Sequence, residues 1–143
     1  LHGLGVMLVN QYPVTAGVND DPQVLAELFR RCTDAGCPQY YVFQCRPTAG
    51  NRPFQIPIVR GFQLVAEARS RLSGLSRRAR FCLSHESGKV EVVGIDEDRI
   101  YARYHRAKDP ADENRMLVLA RDDKALWLDD LTSANEARWP ATA

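Results

Sequence analysis

The sequence predicts an α/β protein, with strand, helix, strand, helix and strand in succession and an antiparallel meander after them. Three observations carry that prediction. Apolar runs of strand length occur at Leu4 to Val9, Tyr40 to Phe43 and Arg80 to Leu83. Between them lie two segments whose apolar residues recur with helical spacing. Each strand-like run then breaks off into polar residues: Asn10-Gln11, Gln44-Cys45-Arg46, and Ser84-His85-Glu86 with Lys89 close behind. In parallel α/β proteins the loops at the carboxyl ends of strands converge on a ligand, so this punctuation predicts part of one pocket.

The elements follow in order. Asn19-Asp20-Asp21-Pro22 reads as a helix start, with an Asx cap, acidic residues at the positive end of the dipole and Pro in the first turn. This helix is expected to run to about Asp34, with Val24, Leu25, Leu28 and Phe29 on its inner face, and to end at Gly36 and Pro38. The aromatic and β-branched run Tyr40-Tyr41-Val42-Phe43 favours a buried strand. Pro47, Gly50, Pro53 and Pro57 break the next stretch. A second helix is then expected over Ile58 to Leu72, with Phe62, Val65, Ala66 and Leu72 inward. Two successive crossovers of this kind imply a right-handed parallel sheet.

After Lys89 the rhythm shortens to Val90–Val93, Ile100–Tyr104, Met116–Leu119 and Ala125–Leu128, with turns at Asp96-Glu97-Asp98, Lys108-Asp109-Pro110 and Asp122-Asp123. Residues 90–131 are therefore expected to form an antiparallel meander packed on residues 1–89, covering a sheet edge or docking on another segment. Residues 132–143 show no period and are expected to be mobile, with Trp139 as a candidate anchor.

A length of 143 residues with 45% apolar content allows one domain with a core. The formal charge of +1 gives no sequence-wide field for gripping nucleic acid or an anionic membrane. No apolar run approaches the roughly 20 residues of a membrane span, and Leu1-His2-Gly3 lacks a basic leader segment, so a cytoplasmic protein is expected. Cys32, Cys37, Cys45 and Cys82 are irregularly spaced and form no C-x-x-C pair, which points to reduced thiols rather than a metal site or a disulfide scaffold. The opening at Leu1, in mid-phrase, suggests a cut from something longer, although processing or tag removal would look the same.

A family resemblance rests on an ordered series of blocks. Val9-Asn10-Gln11, Gly17-Val18-Asn19-Asp20-Asp21-Pro22, Tyr40-Tyr41-Val42-Phe43-Gln44-Cys45, Pro57 with Gly61, Leu72-Ser73-Gly74-Leu75 and Gly88-Lys89 together resemble the carboxyl-terminal half of the lysine 2,3-aminomutase family. The resemblance covers roughly Leu4 to Val93. It implies a radical S-adenosylmethionine enzyme that also carries pyridoxal phosphate. It also implies that residues 1–89 are the C-terminal part of a partial TIM-type (β/α) barrel.

Lys89 occupies the family's Gly-Lys position, where the lysine joins pyridoxal phosphate through a Schiff base and the glycine lets backbone approach the cofactor. Read by itself, Gly-Lys is a hairpin turn with a solvated lysine. Gln11 matches a family glutamine that contacts S-adenosylmethionine, with Asn10 beside it; by themselves both are a polar strand terminus. Asn19, Asp20 and Asp21 are explained by capping.

The departures concern the substrate. Arg46 stands where members acting on lysine carry an aspartate that pairs with the substrate ammonium, and Ser84 falls at a second such aspartate, in a shorter loop lacking the family's glycines. A guanidinium repels an ammonium and grips a carboxylate, so lysine is not the expected substrate and an acidic amino acid such as glutamate fits better. A structural ion pair of Arg46 with Glu86 is the other reading. His85 is a candidate for touching cofactor or substrate, or a hydrogen-bonded surface residue. Cys45 reads as a buried thiol, and Arg77-Arg78-Ala79-Arg80 as a solvated linker or a phosphate contact.

The implied activity of the parent protein is isomerisation by intramolecular amino-group transfer. The family's C-x-x-x-C-x-x-C motif for a 4Fe-4S iron-sulfur cluster is absent from this chain, so those ligands are expected in the preceding barrel half and this segment alone is expected to be inactive. Its expected partners are an amino-acid substrate, that N-terminal half and further copies of itself. Two other readings stay open: a radical S-adenosylmethionine enzyme with a different amino-acid or peptide substrate, and a non-catalytic ligand-binding or scaffolding module. Half a barrel would leave apolar surface and a strand edge uncovered, which predicts dimerisation or repacking through the meander.

Overall fold

The computed structural model describes residues 2–134. Six strands form one open sheet in chain order: β1 (Asn10–Val14), β2 (Gln39–Gln44), β3 (Arg80–His85), β4 (Gly88–Ile95), β5 (Arg99–Ala107) and β6 (Met116–Ala120). β1, β2 and β3 pair in parallel, and the remaining ladders are antiparallel. The connections β1 to β2 and β2 to β3 hold the helices α1 (Pro22–Asp34) and α2 (Ile58–Ser70).

α1 starts as its sequence dictates. The Asp21 carboxylate accepts from the Gln23 and Val24 N–H groups at 2.7 and 3.0 Å, and Pro22 fills the first turn, where no N–H is needed. The helix buries Leu25, Ala26 and Phe29, while Val24 stays half exposed. α2 buries Ile58, Val59, Gly61, Leu64, Val65 and Ala68 and leaves Ala66 outside, so its inner face is rotated from the expected one. The two helices pack side by side on one face of the sheet, against Val14, Val42, Phe81, Leu83, Val90, Val92, Ile100 and Ala102.

The expected partial TIM-type barrel is corrected by this topology. Strand–helix alternation stops after β3, and β4, β5 and β6 extend the same sheet edge to edge. The hairpins occupy the edge at which another parallel strand would have to join, so the sheet stays open. Its two edges are β1 and β6.

Two further expectations are corrected. Leu4 to Val9 is not a strand; pairing begins at Asn10, which stands opposite Gln39. Tyr12 and Val14 supply the inward side chains of β1, and Pro13 is tolerated because β1 is an edge strand. Ala125 to Leu128 is also not a strand. Its backbone bonds go elsewhere: Ala125 C=O accepts from Ile58 N–H, Leu126 C=O from Gln44 Nε2, and the Leu126 and Trp127 N–H groups donate to the Asp130 carboxylate. Thr132 to Ala134 run back along β6, with Ala120 N–H bonded to Thr132 C=O and Ala134 N–H to Val118 C=O. Trp139 and the rest of the expected mobile tail lie outside the described residues.

Candidate functional site

With the helices on one face, the opposite face of the sheet is uncovered, and the alternation of side chains decides what it carries. Phe81 and Leu83 point into the core, which leaves Arg80, Cys82 and Ser84 on the open face; Val90 and Val92 likewise leave Lys89 and Glu91 there. A cavity of about 750 Å³ opens on this face. Gln11 of β1, Tyr40 and Tyr41 of β2, and Lys89 of β4 line one side of it. His105, Arg106 and Ala107 of β5, with Pro110 and Glu113 of the β5–β6 connection, line the other.

Two register steps shape this cavity. Asn10 pairs with Gln39 and Gln11 with Tyr41, so Tyr40 is an extra residue and the adjacent Tyr40 and Tyr41 both reach the open face, with ring centroids 4.0 Å apart. Opposite β4, Lys89 pairs with Arg106 and Val90 with Tyr104, which makes His105 the extra residue of β5.

Lys89 is presented by a two-residue turn. His85 pairs with Gly88 across Glu86-Ser87, and Ser84 stands directly opposite Lys89. Gly88 has φ +141°, and a Cβ built there would lie 2.2 Å from the Arg106 carbonyl oxygen, so only glycine lets β4 approach β5 this closely. The Lys89 amine lies 4.7 Å from the Phe43 ring centroid and 5.2 Å from that of Tyr41. Among the described residues no carboxylate lies within ion-pair distance of it.

Beside the cavity a charged network crosses the sheet. Glu91, whose side chain is only 14% exposed, accepts from Arg103 Nε and Nη2 at 3.0 and 2.9 Å, with Arg80 Nη1 at 3.8 Å. The same Arg80 nitrogen is 2.6 Å from His105 Nδ1. Burial and the Arg80 charge push the His105 pKa down, keeping the imidazole neutral. Burial, with Glu91 beside it, pushes the Cys82 thiol up to about 12 despite three nearby cations, which disfavours the reactive thiolate. Burial likewise raises the Cys45 thiol.

The sequence-derived candidates separate spatially. Gln11 and Lys89 share the cavity, and Ser84 is Lys89's ladder neighbour. Asn10 turns away, its amide on Cys32 Sγ at 3.3 Å. Arg46, exposed beyond the end of β2, makes no ion pair among the described residues, with Glu86 or otherwise, and does not line the cavity. His85 bonds to Ser87 and Asp129. His105, Arg106 and Glu113 escaped sequence reasoning. The signal was there for His105: Ile100, Ala102 and Tyr104 alternate inward, which puts the intervening residues on the other face.

The residues at hand suit pyridoxal phosphate. They offer an amine without a counterion, flat aromatic faces for a ring, and cationic or N–H donors in Arg106 and His105 for a phosphate. They do not suit an iron-sulfur cluster: no group of three or more His, Cys, Asp or Glu side chains among the described residues is placed to hold a metal ion. The described cysteines are all free. No described helix is long and apolar enough to cross a membrane.

Fold and cavity thus define an α/β segment with one open sheet face and a cavity whose lining includes Lys89. No protein-family model matches the chain. Over 128 residues, 90% of the chain, it is 44% identical to the "Putative L-lysine 2,3-aminomutase" of Aquifex aeolicus and covers 34% of that protein. It is 33% identical over 70 residues to the L-lysine 2,3-aminomutase of Clostridium subterminale, and 30% identical over 70 residues to that of Bacillus subtilis. Those two matches span 49% of the chain and 17% and 15% of the relatives. The chain is thus similar to lysine 2,3-aminomutases and spans about a third of the length of the Aquifex relative.

Proposed function

We propose that this chain is the carboxyl-terminal part of an amino-acid 2,3-aminomutase-like isomerase in which Lys89 holds pyridoxal phosphate. The observation that carries the reading is the Lys89 amine, free of any carboxylate among the described residues and seated against Phe43 and Tyr41 in the cavity. The aromatic faces fix the reach of the amine, and a positioned amine is what carbonyl chemistry needs. When bound, pyridoxal phosphate supplies a carbonyl that holds the substrate nitrogen during its move between adjacent carbons. Tyr40 and Tyr41 provide a face for the ring, Arg106 and the neutral His105 provide donors for its anionic group, and Gly88 brings the backbone close.

The remaining requirements fall to the rest of the polypeptide. S-adenosylmethionine and a 4Fe-4S cluster would supply the hydrogen-abstracting radical there, and the cluster's ligands are not among the described residues. Gln11, exposed at the cavity rim, is the group of this segment available to S-adenosylmethionine. Ser84 beside Lys89 is the polar group nearest in register for substrate. Arg46, without an ion pair among the described residues and outside the cavity lining, is the guanidinium this segment would offer to a substrate carboxylate reaching beyond the cavity, which would favour an acidic amino acid over lysine.

The test is chemical. The protein is mixed with pyridoxal phosphate, reduced with borohydride, and its modified lysines are mapped by peptide mass spectrometry. Label is expected chiefly at Lys89 rather than Lys108 or Lys124, and abolished at that position in Lys89→Arg. Label spread evenly over the three lysines would make Lys89 a turn residue and sink the reading.

A further inference from the structure

We propose that His85 is a positioning residue that clamps the β3–β4 hairpin and so sets where the Lys89 amine stands; the proposal rests on the reading of Lys89 as the cofactor-holding lysine. The Ser87 N–H donates to His85 Nδ1 at 3.1 Å. A backbone N–H cannot accept, so Nδ1 is the acceptor and, in the neutral ring, Nε2 carries the hydrogen. Nε2–H then donates to Asp129 Oδ1 at 3.0 Å, 44 residues away in sequence. The Ser87 hydroxyl, 2.7 Å from Nδ1, must donate to it, and the Tyr104 hydroxyl donates to Ser87 Oγ at 3.0 Å.

Every hydrogen in the chain Tyr104, Ser87, His85, Asp129 therefore points one way. A satisfied network of this kind holds its members in one arrangement, because displacing any of them leaves a polar group unpaired. The histidine side chain is 10% exposed, so water replaces its bonds poorly, whereas Asp129 is 71% exposed. The Lys108 N–H adds a bond to the Ser87 carbonyl at 2.8 Å. Ser87 is thus held to β5 and to the 3₁₀ turn Leu128–Asp130, and Lys89 follows it by one rigidly placed glycine. His85 does not line the cavity and acts through Lys89 alone.

The test follows the pyridoxal phosphate label in His85→Ala, Ser87→Ala, Asp129→Ala and the conservative Ser87→Thr and Asp129→Asn. With circular dichroism unchanged, the preference for Lys89 over Lys108 and Lys124 is expected to fall about tenfold in the alanine variants. It is expected to return in Ser87→Thr and Asp129→Asn, which keep a hydroxyl and a carbonyl oxygen in place. Should His85→Ala fail to fold, the exposed Asp129 pair carries the same comparison. A wild-type preference for Lys89 that survives in the alanine variants overturns the positioning role and leaves the cofactor reading standing. No preference in the wild type overturns the cofactor reading, and with it the clamp's purpose.

Discussion

His105 is a residue whose folded environment opposes its own charge. Burial first and Arg80 second hold its pKa below the ordinary 6.5, so between those two values the folded chain binds fewer protons than the unfolded one. The stability it contributes is full above pH 6.5 and is lost as pH falls through the depressed folded value. Urea unfolding across that window is expected to show a falling midpoint in the wild type and a flatter one in His105→Gln; superimposable curves would count against it. At this scale Lys89 and Gln11 were legible because each ends a recognisable block of residues. Arg106 and Glu113 were not, since a meander read as cover gives no reason to look for a ligand on it. Arg46 was legible by type, but adjacency to Gln44-Cys45 in sequence leaves its exposed side chain outside the cavity lining of this segment.

Helix α1 and the strands after it were legible because their signals are local. Asp21 and Pro22 mark the start of α1, and aromatic and β-branched residues mark β2. The first apolar run failed as a strand because hydrophobicity alone does not supply a neighbour to pair with. Leu4 and Met7 are 80% and 88% exposed, and the ladder begins only at Asn10. The fourth meander run failed in the same way, its backbone bonds taken by Gln44, Ile58 and Asp130. On α2, Gly61 fits where a methyl group would not: its Cβ would stand 2.7 Å from Phe81 Cζ and 3.0 Å from Gln44 Oε1. Gly61→Ala gains about 1 kcal/mol of helix propensity. Overpacking a close-packed core costs roughly 1–3 kcal/mol, so a net loss is expected. A rise in thermal midpoint on that substitution would show the helix to be less closely seated.

Over the whole molecule, the error in the barrel expectation has a physical origin. A strand, helix, strand, helix, strand order satisfies both a closed barrel and an open sheet, and closure depends on what meets the last strand, which local signals do not report. Here a hairpin meets it. One face of the sheet is therefore buried under two helices and the other is open around Lys89, while Leu4, Val6, Met7 and Val9 stand exposed ahead of the β1 edge. Such a surface recruits cover. The isolated chain is expected to self-associate on analytical ultracentrifugation through the micromolar range, and Met7→Lys to weaken that association; a monomer throughout would mean the open face is stable in water.

The strand order β1 to β6, identical to the chain order, also bears on how the molecule assembles. Each strand pairs with its neighbour in sequence, so no pairing depends on a strand further along the chain. The costs are nonetheless unequal. β3, β4 and β5 are joined by tight turns of the kind that close in about 1–10 μs, whereas β1 and β2 must each bring a helix into place before their neighbour pairs. The quick half is the carboxyl-terminal one. On a ribosome, which releases the amino end first, β1 and β2 emerge before the hairpins that close fastest, and the sheet is expected to grow backwards along the chain towards them.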